Sequence, residues 1–373
     1  MLHRLAVFLA AVSIAAAADN PPEGSARPST MFRPLRIDLA GFGTGEYPHM
    51  EFSRDGKYIC CWWLPHPPIG DCDKLLGKCV VFDREGKVVK EATDHRGRMV
   101  RDYVLMFAVT ASRQQLGWFL NDTNRLKNSM WGFSEDYTLG FRLLKAEGFF
   151  TTGNGEMWRL APSAERLWVA PLPEKVSDVG LVSLFARGET NCLLVAFHGT
   201  RCHVLSGKEG KILDSFTYGV PETDPDLGFF ASELSFDALH GLLACGALLG
   251  KRVRVVRIDP PHKLVFEAHT HDNPRWPWGG EWTVNSVQFE CAGKYLIAGY
   301  DWGGRIFPNG KRLIEIFDTS SWRVVWSTTD ETISASSPPR ISSDGKILAF
   351  LRVNPKGTAW DSSLEIHPFE PRR

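Results

Sequence analysis

The chain carries no net charge and no basic block. Its 373 residues include 43 basic and 43 acidic side chains. Nucleic-acid binding needs clustered positive charge, so we expect no nucleic-acid partner. After the N-terminal stretch there is no apolar run of the roughly 20 residues that a membrane-spanning helix requires. We therefore expect no membrane span in the mature chain.

Common signatures of metal sites and hydrolases are also missing. The eight cysteines form no Cys-x-x-Cys pair, and neither Gly-x-Ser-x-Gly nor His-Glu-x-x-His occurs. Cys72 and Cys79 flank a short loop and could form a disulfide. The other cysteines lie in or beside strand-like runs, where buried free thiols are expected: Cys60, Cys61, Cys192, Cys202, Cys245 and Cys291.

The N-terminus has the layout of an export signal. Arg4 is followed by an apolar stretch, Leu5 to Ala18, that ends in small residues. About 14 apolar residues are too few to cross a bilayer, so we predict a signal peptide over 1–18 and a secreted or periplasmic protein. Residues 19–30 are polar and Pro-rich, which predicts a disordered leader. A single domain is expected over 31–373.

The chain is rich in turn-forming residues and in aromatic residues. Aromatic residues make up 12% of it, and it contains 34 Gly and 23 Pro. Helical spacing of apolar residues is nearly absent. Instead, an apolar strand, a turn with Gly and a second apolar strand recur around Gly188, Gly241, Gly293 and Gly345. The spacings of about 52 residues indicate a repeat architecture.

Each repeat continues with two more strand-like segments. Four antiparallel strands per repeat are typical of a propeller blade, so we predict an all-β propeller. The last repeat lacks one strand, and the alternating segment Leu35 to Leu39 is spare. We expect this segment to complete the last blade and close the ring, which would leave no sheet edge unpaired. Residues 100–178 are less regular, and we predict seven blades with six as the alternative.

The turns resemble those of the tryptophan-aspartate-repeat and YVTN-type propellers. The matching segments are Phe52 to Tyr58 (FSRDGKY) and Ser342 to Lys346 (SSDGK). Phe-Asp or Ile-Asp stands where the Trp-Asp dipeptide is expected, so the resemblance indicates the superfamily and no particular member. In that class, loops between blades share one face with loops between second and third strands. Short turns occupy the other face.

This rule places an unusual aromatic loop on the long-loop face. His269 to Trp282 reads HTHDNPRWPWGGEW and joins two blades, while residues 300–310 join two strands of the next blade. We predict that these loops bind a ligand, because exposed Trp side chains form stacking platforms and Arg side chains donate hydrogen bonds. The predicted ligand-binding residues are Trp276, Trp278, Trp282, Trp302, Arg275 and Arg305. The alternative is that the Trp side chains fold back and plug the top of the channel.

The same loop could hold a metal. His269 and His271 alternate along an extended segment, and Asp272 follows. His66, on the same predicted face, could complete the site. No other cofactor is predicted. Asp301 is expected to be a turn residue, and Arg36, Arg254 and Arg340 are expected on solvated strand faces.

These patterns favour an exported binding or scaffold protein that presents an aromatic face to a protein or polysaccharide partner. We assign no catalytic residue. The alternative is a propeller enzyme of the lactonase, lyase or quinone-dependent type, with a metal or cofactor at the channel mouth. Propeller enzymes gather catalytic residues one per blade, so missing motifs do not decide against this alternative. The sequence leaves the oligomeric state open.

Overall fold

The structure is a computed structural model that describes part of the chain. The described residues are 33–42, 48–53, 55–63, 77–94, 148–151, 156–160, 166–173, 179–197, 201–218, 231–247, 252–269, 282–302, 312–330, 332–333, 337–353 and 362–372. Within them, all regular secondary structure is β-strand, arranged in antiparallel sheets. None of these residues belongs to a helix long and apolar enough to cross a membrane.

In four of the sheets, four strands pair in the order in which they follow one another along the chain. Sheet I comprises β2 (His49–Phe52), β3 (Tyr58–Trp63), β4 (Gly77–Asp83) and β5 (Val88–Asp94). Sheet III comprises β9 (Val179–Arg187), β10 (Thr190–Phe197), β11 (Arg201–Ser206) and β12 (Ile212–Thr217). Sheet IV comprises β13 (Ala231–Asp237), β14 (Leu242–Ala247), β15 (Arg252–Arg257) and β16 (Leu264–His269). Sheet V comprises β17 (Trp282–Glu290), β18 (Tyr295–Trp302), β19 (Arg312–Asp318) and β20 (Arg323–Thr328).

The last sheet is built from both ends of the domain. Sheet VI comprises β21 (Arg340–Ile341), β22 (Ile347–Val353), β23 (Ser362–Pro368) and, as its fourth strand, β1 (Leu35–Asp38). Leu35 pairs with Ile366, and Asp38 pairs with Ser363. The prediction that an N-terminal strand completes the last blade is therefore confirmed.

Sheet II has three described strands. A register shift that also occurs in other sheets identifies their positions in the repeat. They are β6 (Gly148–Thr151), β7 (Glu156–Leu160) and β8 (Arg166–Pro171). The pairing of β7 with β8 shifts register at Arg159/Leu160. Third and fourth strands shift in the same way at Val81/Phe82, Val204/Leu205, Val255/Val256 and Ile316/Phe317. Strands β6 to β8 therefore correspond to the second to fourth strands of a blade.

These bulges have a physical use at the sheet edges. The fourth strand is the exposed one, as the alternating burial of β12 shows, whereas most of β10 is buried. A bulge twists an edge strand and interrupts its row of free hydrogen-bonding groups, which disfavours edge-to-edge pairing with another chain. The same bulge occurs in every blade in which the third and fourth strands are both described and are consecutive in the chain.

The core is divided into layers between successive sheets. Leu194 and Val204 of sheet III pack with Phe236 and Cys245 of sheet IV. Comparable layers lie between sheets IV and V and between sheets V and VI. Sheet VI also contacts sheet I, where the Met50 backbone N–H donates to Ser337 Oγ at 3.1 Å. Sheets packed face to face in this way are the blades of a β-propeller.

Several sequence predictions can be compared with this fold. Six cysteines are free thiols, as expected: Cys60, Cys61, Cys192, Cys202 and Cys245 are fully buried in strands, and Cys291, in the turn after β17, is half-buried. Residues 95–147 lie outside the described part, so seven blades or six, and ring closure, stay predictions. Cys72 also lies outside it, and so the disulfide to Cys79 stays a prediction.

The short turns show why the Ser-x-Asp-Gly-Lys motif recurs. Ser53 Oγ donates to Asp55 Oδ1 at 2.7 Å, and that carboxylate accepts the Lys57 backbone N–H at 3.1 Å. Ser342 and Asp344 repeat the first contact at 2.6 Å in sheet VI. The hydroxyl and the carboxylate thus hold the hairpin closed, while the glycine supplies a positive φ.

Gly293 provides a test of the packing between sheets IV and V. It has a φ of +82°, and a Cβ there would lie 1.9 Å from Oδ2 of the buried Asp237. Gly188 has a φ of +61° with nothing within 4 Å. We expect Gly293→Ala to lower the free energy of unfolding by about 1–3 kcal/mol more than Gly188→Ala, because only the first adds overpacking to the backbone strain. Urea unfolding of both variants measures the difference, and equal losses would contradict it.

Candidate functional site

The two predicted binding loops leave sheet V at one end. Residues 270–281 connect β16 to β17, and residues 303–311 connect β18 to β19. Trp282 opens β17, Trp302 closes β18, and their Cα atoms are directly paired in the ladder. Two of the six predicted ligand-binding positions therefore face each other across neighbouring strands where both loops begin.

His269 lies at the start of the same region. It is the last residue of β16, and its Cα pairs with that of Arg252 in β15. For His269, Trp282 and Trp302 the structure describes the backbone only. The other predicted ligand or metal residues lie outside the described part, and their roles stay predictions: His66, His271, Asp272, Arg275, Trp276, Trp278 and Arg305.

Directly next to the paired Trp positions, one carboxylate ties three strands together. Asn285 Nδ2 of β17 donates to Asp301 Oδ2 of β18 at 2.5 Å. Arg312 Nε of β19 donates to the other oxygen, Oδ1, at 2.7 Å. The Thr283 hydroxyl donates to the Asp301 backbone carbonyl at 3.2 Å. The strand ends that carry both loops are thus held in a fixed relation.

Asp301 is therefore not the turn residue that the sequence predicted. Its place before Gly-Gly is typical of a turn residue, but the structure puts it in β18, with partners on both neighbouring strands. The Asp301 side chain is only 24% exposed and that of Arg312 only 17%. With both oxygens engaged, Asp301 is committed to holding the loop base and is not placed to act as a general base.

Sheet IV carries a second charged cluster near the same end. Glu267 of β16 accepts from Arg254 Nη2 at 3.2 Å, and Arg252 Nη1 lies 3.5 Å from the same oxygen. The expectation that Arg254 lies on a solvated face is wrong, because its side chain is buried in the structure. Arg36, by contrast, is exposed as expected.

Sequence reasoning also missed a buried bridge at the first strands of three sheets. Arg340 Nη2 of β21 lies 3.0 Å from Glu51 Oε2 of β2, and Nη1 lies 3.1 Å from Glu290 Oε1 of β17. Arg340 was expected on a solvated face, which is wrong, since a first strand is covered by a neighbouring sheet on each side. The sequence pattern that could have predicted this bridge is an acidic residue in the first strand of each neighbouring repeat.

The carboxyl of Glu290 is electrostatically unusual. Burial and, to a smaller extent, the negative charge of Glu51 together raise its pKa to about 8, despite the opposing effect of Arg340. One guanidinium cannot fully compensate two buried carboxylates. A proton on Glu290 at neutral pH leaves the group of three without surplus charge.

The described part of the chain does not test the predicted metal site. Within it, no group of three or more His, Cys, Asp or Glu side chains is arranged to hold a metal ion. The metal proposal thus depends on His269, His271, Asp272 and His66, for which the structure describes no side chain.

Comparisons with known proteins give likenesses of fold. A scan against protein-family models and a search of curated proteins found no match. Among solved structures, the chain is similar to the C-terminal WD40 domain of Sif2, with 10% identity over 86% of this chain and 68% of that one, at a TM-score of 0.40. It is also similar to the Myceliophteria thermophila Cps50 (Swd1) β-propeller domain, with 11% identity over 87% and 97%, at 0.41. Saccharomyces cerevisiae Sqt1 gives 9% identity over 85% and 69%, at 0.38.

Such likenesses concern the fold alone. The assignment of the fold rests on this chain's own four-stranded sheets and on the composite sheet VI. The protein is a β-propeller.

The loop-base cluster generates a stability prediction. Asp301→Ala leaves Arg312 and Asn285 without their carboxylate partner, so we expect a loss of about 2 kcal/mol in the free energy of unfolding. Lys57→Ala removes an ion pair to Asp55 whose side chains are 70% and 51% exposed, and no measurable loss is expected there. Urea unfolding at pH 7 compares the two variants. Similar losses would show that the cluster is no more than a surface ion pair.

Proposed function

We propose that the protein is an exported binding scaffold that presents the two Trp-bearing loops to a protein or polysaccharide partner. The supporting observation is the direct pairing of Trp282 with Trp302 where both loops begin. Binding residues commonly sit on loops held by a rigid framework. The Asp301 contacts to β17 and β19 supply that rigidity at the loop base.

The residue types of the two loops suit such a role. Trp276, Trp278 and Trp302 offer large, stiff apolar surfaces that stack on sugar rings or fill pockets in a protein. Arg275 and Arg305 add planar donors that can engage carbonyl, carboxylate or hydroxyl oxygens. A groove built on such residues binds through a few central aromatic contacts. Polar contacts at its rim give orientation.

Export is the second part of the proposal. It rests on the apolar stretch from Leu5 to Ala18 and its small-residue end. In an oxidising compartment, free thiols survive when they are inaccessible, and five of the six described cysteines are buried. Residue 19 would be the N-terminus of the secreted or periplasmic protein.

Paired substitutions test the binding proposal. The double variant Trp276→Ala/Trp278→Ala should keep the wild-type thermal midpoint and lose at least about tenfold in affinity, the effect of removing a binding hot spot. The affinities are measured for whichever ligands wild type binds in a panel of immobilised polysaccharides and in the envelope and secreted fraction of its own host. Tyr58→Ala, which removes an exposed aromatic at a short-turn end of sheet I, is the matched control.

The outcomes separate the alternatives. Loss of folding in the double variant would show that the two Trp side chains are structural plugs. Unchanged binding in a well-folded double variant would overturn the proposal. Stoichiometric metal in the purified protein, lost on His269→Ala/His271→Ala, would favour the enzyme alternative instead.

A further inference from the structure

We propose that the Glu51–Arg340–Glu290 bridge is a proton-controlled clasp, which tightens the junction of sheets I, V and VI as the pH falls and loosens it as the pH rises. The proposal concerns the scaffold itself and is independent of the partner that the loops bind.

The geometry makes one guanidinium the meeting point of three blades. Arg340 belongs to β21, which has only two residues, and its two Nη atoms reach carboxylates of β2 and β17 at 3.0 and 3.1 Å. All three side chains are close to nine-tenths buried, with exposures of 10–12%. Separating sheet VI from either neighbour therefore breaks one arm of the bridge.

The charged groups around Glu290 come from several sheets. Facing it are Arg340 and the Ile341 backbone N–H from sheet VI, and Glu51 from sheet I. On its own turn lie Cys291 and Lys294, and Asp344 of sheet VI lies near Cys291. Asp344 is itself paired with Arg84 of sheet I at 2.9 Å, and Asp237 of sheet IV lies against Gly293. Arg340 thus faces two buried acids, and a proton on Glu290 lowers the negative charge opposite it.

The direction of the pH effect follows from the pKa of Glu290. It is about 8 in the closed junction, against an ordinary value of 4.5. The closed form therefore holds a proton that the open form releases between these two values. The contribution of Glu290 to the stability of the junction is complete below about pH 4.5 and is lost progressively up to about pH 8, above which it changes no further.

Cys291 provides a local probe of this junction. Its thiol donates to the Ser342 carbonyl of sheet VI at 3.0 Å, next to Glu290 in sequence. Burial, and secondarily the charge of Glu290, raises the pKa of the thiol to about 12. Opening of the junction would release the thiol from this contact and from burial, so the labelling rate of Cys291 in the native protein should rise as the junction opens.

The experiment measures the rate at which an aromatic disulfide reagent labels Cys291 at pH 6 and at pH 8. The masses of the peptides identify Cys291 as the labelled residue. Each rate is divided by that of Glu290→Gln at the same pH, which cancels the reagent's own pH dependence. With pKa values of 4.5 and about 8 in the open and closed forms, this ratio should rise about 50-fold from pH 6 to pH 8. Glu85→Gln, which neutralises an exposed carboxylate, should label as wild type does.

A second variant keeps the test decisive if Glu290→Gln does not fold. Glu51→Gln removes one negative charge beside Glu290, so the pKa of Glu290 should fall, although burial still raises it. The increase in labelling rate from pH 6 to pH 8 should then be smaller in Glu51→Gln than in Glu85→Gln. Wild-type labelling that parallels both variants at the two pH values would overturn the proposal. A rise in wild type that neither substitution reduces would also overturn it, because another group would then control the junction.

Discussion

Burial of the first strands between neighbouring sheets is the constraint on which the rest of the molecule depends. A sheet covered on both faces must satisfy every polar group through its neighbours, since water is excluded there. The two terminal nitrogens of Arg340 meet this requirement by reaching Glu51 and Glu290 in two other sheets. Cys291 does so through the Ser342 carbonyl, and the Met50 N–H does so through Ser337. The blades are held together by apolar layers and kept in register by these few polar contacts.

The loop end of sheet V follows the same logic for a different purpose. Asp301 accepts from Asn285 and Arg312, so three strands end in one hydrogen-bonded unit. For the proposed binding function, a base held in this way would reduce the ordering that binding requires.

The two polar clusters differ in charge balance, and this difference separates their roles. Asp301 and Arg312 pair one carboxylate with one guanidinium. The first-strand bridge places two carboxyls on one guanidinium, and burial makes their joint ionisation costly. The proposed clasp rests on this second arrangement, because a proton on one of the two carboxyls lowers the cost of burying both.

The sequence alone determined the repeat, the strand order within each blade, the turn motif and the N-terminal strand that completes sheet VI. These features are local, or periodic along the chain: the spacing of Gly241, Gly293 and Gly345, and the alternation in Leu35 to Leu39. The tertiary structure decided which charged residues are buried and what they contact. Arg254 and Arg340 alternate with apolar neighbours as solvated residues do, yet both are covered, because alternation cannot show that a strand has a sheet on each side. The partners of Arg340 and Asp301 depend on which strands lie side by side, and Arg340 and Glu290 are 50 residues apart. Only the packed fold brings such residues within hydrogen-bonding distance.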